Sequence, residues 1–513
     1  MTDLSAPCPS YTSAVTVEGR KILIVLAVAA FADWLFFRHP VGISIAVFLA
    51  AIAGATSVAN PFRASPKESA IAVGILLAGL APLALRTSLL ACLVGVAATA
   101  YAALVIADPD RGGGWRARIA KSLWLLVDGS WQGFADVAAI TRRPMQGPSG
   151  SVLSTTLAGW IVPVALGGVF VLLFAEANPL IDNWLARIDL RNWFSAVDPP
   201  RVFFWLVTGL LVWPFLFLRG YSTLRKHLFD QFEPEFLPDH RVSVAPSILA
   251  IDRSMVVRSL VIFNLLFAVQ TGLDIVYLWG GAALPHGMSY ATYAHRGAYP
   301  LILTALLAAA FVLATMRPGS DTERSHLVRG LVYLWTGQNV VLVISSILRL
   351  DLYVEVYSLT CLRVAAFIWM GLVATGLMLI AARIALQRSN MWLVRSNLAS
   401  LGIVLYVCSF VNFPSVIAGY NVTHSREMSG QGVKLDEAYL SSLGPQAIPA
   451  FDRWFDVSPV ITAQALGWRN SAAREHVQNQ QNWRAWTYRN ATLARYLRER
   501  PVLGAVNYTG RTP

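Results

Sequence analysis

The stretch TSLLACLVGVAATAYAALVIA at residues 87–107 decides the fold. It carries no charged side chain, and as a helix rising about 1.5 Å per residue it reaches across the roughly 30 Å of a bilayer's hydrocarbon core. Lipid offers no hydrogen bonds to a backbone, so an apolar segment of this length satisfies its peptide groups internally, as a helix. Ten more apolar stretches accompany it, at 22–37, 42–58, 69–85, 155–175, 202–218, 259–280, 299–316, 330–348, 359–382 and 397–415. The expectation is an all-α, polytopic transmembrane helix bundle of about eleven spans. Composition agrees: 56% of residues are hydrophobic and 14% charged, against about 25% charged in ordinary soluble domains.

The connections between these stretches set the orientation. With the N-terminus in the cytoplasm, inward connections carry Arg20, Lys21, Arg63, Lys67, Arg116, Arg118, Arg142, Arg143, Arg225, Lys226, Arg253, Arg258, Arg324, Arg329, Arg383, Arg388 and Arg395, among others. The outward ones carry only Arg38, Arg86, Arg187, Arg191, Arg201, Arg296 and Arg349. That is a bias of about three to one in the sense of the positive-inside rule. It also accounts for the net charge of +12 without nucleic acid, for which no recognition motif is present. Three regions are expected: a cytoplasmic N-terminal tail at 1–21, a transmembrane domain at 22–418, and an extracytoplasmic helical segment at 419–513. The last helix of that segment should start with Ser471 as its cap and stop before Pro501. A periplasmic partner could dock on this segment.

No Gly-x-x-x-x-Gly-Lys-Ser/Thr loop, His-Glu-x-x-His or Gly-x-Ser-x-Gly is present, so ATP-driven pumping, zinc proteolysis and serine hydrolysis have no local signature. Cys8, Cys92, Cys361 and Cys408 form no Cys-x-x-Cys pair. The closest histidines, His286 and His295, are read as loop residues. No metal and no cofactor is expected.

Ionisable groups inside apolar spans are costly and normally face the bundle interior or water. The span 259–280 carries Asn264, Gln270, Thr271, Asp274 and Tyr277 within an arc of about 140° on a helix. The span 330–348 carries Gln338, Asn339, Ser345 and Ser346, with Arg349 adjoining, within roughly 120°. Two such stripes should face each other, as interhelical glue or as the wall of a site. Asp274 needs a cation or a proton. Near the outer surface, Arg296, Arg349 and Arg363 accompany Asp274, Asp351 and Glu355. With His295 these are expected around one outward-facing pocket. Asp351 and Glu355 share a side whether their stretch is helical or extended.

The blocks LWGGAALPHGMSYATYAHRGAYPL (278–301) and WTGQNVVLVISSILRLDLYVEVYSLTCLRVAAFIWM (335–370), with IAGYNV (417–422) and LDEAYLSSLGPQAIPA (435–450), resemble a family of bacterial membrane proteins. That family is known as domain of unknown function 4173 and is related to the 4153 group. The resemblance runs from about Val202 to near Phe451 and implies a bacterial inner-membrane protein. It assigns no catalytic residue. Three functions are open at this point: binding or transport of a small solute or lipid-derived molecule, enzymatic action on an envelope lipid or glycan with Asp351 or Glu355 as acid or base, and a non-catalytic envelope or sensory component.

Overall fold

The computed structural model describes residues 11–61, 64–107, 118, 119, 121–126, 129, 133, 167, 198–218, 253–280, 325–457 and 462–500. All regular structure among them is helical. Six of these helices are long and apolar enough to cross a membrane, against the eleven spans expected. The stretch 155–175 apart from residue 167 and the stretch 299–316 lie outside the described residues, and 22–37 lies in the helix Tyr11–Phe36, which is not among the six. The stretch 42–58 forms a helix of 16 residues, short of the roughly 20 needed. The stretch 330–348 lies in a helix whose Gln338, Asn339 and Arg349 lower its hydropathy. The chain divides into two compact units, Met1–Phe236 with Asn479–Thr492, and Leu237–Gln478 with Leu493–Pro513.

The first unit holds α1 (Tyr11–Phe36), α2 (Ser44–Ala59), α3 (Pro66–Leu85), α4 (Leu89–Ala107) and α5 (Pro199–Leu216). Ser65 and Glu68 close a capping box at the start of α3, with Pro66 in the first turn, where its missing N–H costs nothing. Small residues let α3 and α4 approach: a Cβ on Gly79 would lie 2.2 Å from that of Ala98. Val28, Leu49, Leu83, Leu104, Val212 and Leu216 fill the core.

Polar contacts sort the helix ends of this unit into two rims. On one, Lys21 donates to Asn60 Oδ1 at 3.0 Å and stands over the Phe217 ring, while Arg118 pairs with Glu68 at 2.8 Å. On the other, Arg201 and Trp205 both donate to Asp33 Oδ1, at 2.9 and 3.0 Å, and Arg38 pairs with Asp198. Lys21, in the middle of α1, therefore lies with the ends of α2 and α5, and the end of α1 lies with the start of α5. Residues 482–486 pack on the second rim. Arg484 donates to the Trp34 carbonyl at 3.1 Å and stacks over the rings of Trp34 and Trp483, and Ile43 N donates to the Trp486 carbonyl at 2.8 Å. A Cβ on Gly42 would lie 2.4 Å from the Ala485 carbonyl carbon, so only glycine fits there.

The second unit holds α6 (Arg253–Asp274, continued by a π turn at Ile275–Trp279), α7 (His326–Tyr357), α8 (Cys361–Ala385) and α9 (Asn390–Phe410). Val256, Leu260, Val332, Trp335, Leu377, Ile384 and Leu393 form its helical core. The expected span 397–415 ends early: α9 stops at Phe410, and α10 (Phe413–Thr423) restarts with Pro414 in its first turn. The expected boundary at residue 418 falls inside α10.

Beyond α10 come α11 (Arg426–Ser429), α12 (Glu437–Ser442), α13 (Ile448–Val457), α14 (Ala463–Asn479) and α15 (Tyr488–Glu499). The single last helix expected from Ser471 is thus two helices. Ser471 lies inside α14, its hydroxyl bonded back to the Trp468 carbonyl, while Asn482 and Thr487 cap a 3-10 turn and α15. Helix α15 stops at Glu499, before Pro501 as expected.

Phe451, Trp454, Phe455 and Leu440 make one small core of this region, and Ile448, Ala473, Leu493 and Leu497 another. Arg469 forks onto Asp452 through two bonds of 2.8 Å, with both side chains fully buried. The Arg500 carbonyl accepts a further bond from Arg469, and Tyr496 donates to Asp452 Oδ2.

Two outcomes follow from this fork. Removing one partner of a buried pair leaves the other charge stranded, at about 3–5 kcal/mol. Arg469→Ala should lower thermal stability by that much in tryptophan-monitored unfolding, and Arg469→Lys, which cannot reproduce the fork, should recover little. Burial and the Asp452 carboxylate push the Tyr496 phenol from near 10 up to about 12. A raised value means stabilisation complete below pH 10 and lost as pH climbs toward 12. Alkaline melting over that window should be steeper for the parent than for Tyr496→Phe.

Candidate functional site

The buried residues of α6 recur as Val256, Leu260, Asn264 and Asp274, and those of α7 as Val328, Val332, Trp335, Asn339, Leu342, Ser345 and Arg349. Both follow the three-and-four spacing of one helix face. The faces meet. Asn264 Nδ2 donates to the Leu331 carbonyl at 3.1 Å, Arg349 is paired with Asp274, and Trp279 Nε1 donates to Ser345 Oγ at 3.3 Å. Contacts advance in the same direction on both helices, so α6 and α7 run parallel.

The Asp274–Arg349 pair closes this seam near one end. Asp274 is 1% exposed and Arg349 4%. Gln270, one turn earlier on α6, also donates to Asp274 Oδ1 at 3.0 Å. Arg349 reaches back along α7, the direction in which helical side chains lean. The π turn directly after Asp274 swings Trp279 onto Ser345; π turns of this kind recur at functional sites.

Below the pair the seam is over-supplied with polar atoms. Asn264 Oδ1, Thr271 Oγ1, Trp335 Nε1, Gln338 Oε1 and Asn339 Oδ1 are each shut off from solvent and have no hydrogen-bond partner among the described residues. Other polar side chains of α7 are self-satisfied: Thr336 bonds back to the Val332 carbonyl and Ser346 to the Leu342 carbonyl, both at 2.8 Å. An unmet buried polar group costs about 1–3 kcal/mol.

The outer charged residues do not all join this site. Because α7 stays helical through Tyr357, Asp351 and Glu355 stack on one side, about 200–240° around the axis from Arg349. Both are exposed. They face α10: burial raises the Tyr420 pKa, and the two carboxylates raise it further. Arg363 caps α7, donating to the Tyr357 and Ser358 carbonyls and stacking over Tyr353 at 4.6 Å. The structure thus unites Asn264, Gln270, Asp274, Gln338, Asn339 and Arg349 on one helix pair and separates Asp351, Glu355 and Arg363 from them. His295 and Arg296 lie outside the described residues.

Sequence reasoning missed Asp33, although its signal was the one that singled out Asp274: an acid inside an apolar stretch. Its partner Arg201 stands 168 residues away, and no local pattern links the two.

No curated protein and no solved structure matches the chain. Residues 21–454 match the family described as Domain of unknown function (DUF4153), a region that takes in both the Asp33–Arg201 and Asp274–Arg349 pairs. On the extent of that match, the chain belongs to the DUF4153 family.

Proposed function

We propose that this protein is a bacterial inner-membrane protein, of the 4173 branch of its family, that binds or transports a small polar solute along the α6–α7 seam. The observation that carries the reading is the set of five unmet polar atoms inside a helix pair that the lipid would otherwise force to be apolar. Interior polar groups of this kind mark solute and ion pathways in membrane proteins.

The orientation follows from where the basic residues stand in the second unit. Arg253, Arg258 and Arg329 lie near the starts of α6 and α7, Arg383 and Arg388 at the end of α8, and Arg395 in the first turns of α9. The connections α7–α8 and α8–α9 are short, so these positions share one end of the helices, which the positive-inside rule makes cytoplasmic. Asp274 and Arg349 then guard the outward end. Around that end, Asn421 exchanges hydrogen bonds with the Leu359 backbone, and Asn412 bonds Gln446. The segment after α9 accordingly lies outside.

The test is chemical access. In a chain with its four native cysteines replaced, Thr271→Cys and Asn339→Cys should react with a small hydrophilic methanethiosulfonate reagent added from outside. Leu265→Cys, on the lipid-facing side of α6, should react at least tenfold more slowly, since a thiol in lipid does not ionise. A seam in which neither position reacts faster than Leu265→Cys is closed to solutes and contradicts the proposal.

A further inference from the structure

We infer that residues 482–488 are a membrane anchor: Trp34, Trp483 and Trp486 sit in the headgroup layer of the outer leaflet, where Arg484 meets the phosphates of phospholipids. The α6–α7 seam plays no part in this contact. The leaflet is the outer one because the segment after α9 is external.

Helix α1 sets the depth. Leu23, Leu26, Ala30 and Trp34 are exposed and share one face, at the three-and-four spacing of a helix. Val25, Val28, Ala32 and Leu35, on the opposite face, are buried. An exposed apolar stripe opposite a packed face is the side a membrane helix turns to lipid. Polar contacts bound the stripe at both ends: Lys21 with Asn60 at one, and Asp33 with Arg201 at the other. Trp34 stands beside Asp33, where the stripe ends and hydrocarbon gives way to headgroups. Indoles concentrate at that depth.

Residues 482–488 extend this stripe. Their backbone is held against the turn after α1: Ile43 N donates to the Trp486 carbonyl, and Ala485 lies so close to Gly42 that no Cβ fits between them. Trp483 stacks against Trp34, with ring centroids 5.9 Å apart. That contact carries the exposed face of α1 onto the segment. Trp483, Trp486 and Tyr488 are all exposed. Rings with an apolar body and a polar edge favour the headgroup layer over both water and hydrocarbon.

Charge identifies the lipid group. Residues 479–492 include Arg484 and Arg489 and no acidic side chain. The Arg484 guanidinium lies over the rings of Trp34 and Trp483, 4.5 and 5.3 Å from their centroids. Its Nε donates to the Trp34 carbonyl at 3.1 Å, and its Nη1 reaches Asn482 Oδ1 at 3.4 Å. Arg38 and Arg201, on the same rim, are each paired with a carboxylate. Arg484 has no such pair among the described residues. A guanidinium held between aromatic faces at headgroup depth, with its charge unneutralised, is matched by phosphate, whose oxygens suit its planar fork.

The experiment is power-saturation electron paramagnetic resonance on the full chain in nanodiscs of phosphatidylcholine and phosphatidylglycerol. The native cysteines are replaced, and a nitroxide is attached at Trp483→Cys or, as the lipid reference, at Leu26→Cys. Oxygen collects in lipid and a nickel chelate in water, so the ratio of their collision rates reports depth. At Trp483→Cys the oxygen-to-nickel ratio should be roughly threefold or more above that of the same label on a soluble peptide, and below that of Leu26→Cys. Arg484→Gln keeps an N–H for the Trp34 carbonyl but loses the charge, and should lower the ratio roughly twofold. Arg484→Lys, still cationic, should hold it near the parent value. A Leu26→Cys label that stays unchanged in both variants shows α1 in place. A ratio at Trp483→Cys equal to that of the soluble peptide leaves the rings to water or to a protein partner, and the anchor is wrong. If Arg484→Gln changes nothing, or Arg484→Lys falls as far as Arg484→Gln, Arg484 only caps α1 and the phosphate contact is overturned.

Discussion

A charge without a partner cannot remain in lipid, and the pairing of Asp274 with Arg349 is where this chain meets that constraint most severely. The two residues come from helices separated by a long connection. Their pairing sets the depth of α6 against α7, and that register brings Asn264 to Leu331 and Trp279 to Ser345. Burying two opposite charges together gains little net stability, whereas losing one of them is severe. Such a pair works as a lock on geometry.

The same chemistry recurs in two other settings. Asp33 of the first unit takes bonds from Arg201 and Trp205 near the end of α1, where the guanidinium stays half exposed to the surface. Asp452 and Arg469 lie outside the spans and are completely enclosed, with Tyr496 and the Arg500 carbonyl meeting their remaining capacity. That last cluster is satisfied throughout, as a structural element should be. The α6–α7 seam differs because its pair is met while the polar atoms below it are not. The contrast within one chain separates a satisfied network from one whose polar atoms find no partner among the described residues.

Much of this was legible from residue order. Apolar stretches marked the helices, and two polar stripes with helical spacing marked the faces that meet. The stripes were readable because Asn, Gln, Asp and Arg are so costly in lipid that their positions carry information. Other features were not readable. Asp351 and Glu355 share a side in a helix and in a strand alike, so their spacing could not show that α7 remains helical and turns Arg349 away from them. Arg363 looked like one more member of a charged cluster, yet the end of α7 at Tyr357 gives it two carbonyls to cap. The break between α14 and α15 depends on Asn482 and Thr487 outcompeting a continuous helix, a balance of small capping energies. Partners as distant as Asp33 and Arg201 are settled by tertiary packing alone.

If the Asp274–Arg349 pair locks α6 to α7, reversing both charges should preserve the lock and reversing one should break it. Membrane abundance of folded protein would be measured for Asp274→Arg, Arg349→Asp and the double reversal. Each single change should place two like charges together in the seam and abolish folded protein, whereas the double change should restore most of it. Singles that accumulate like the parent, or a double no better than the worse single, would contradict the lock.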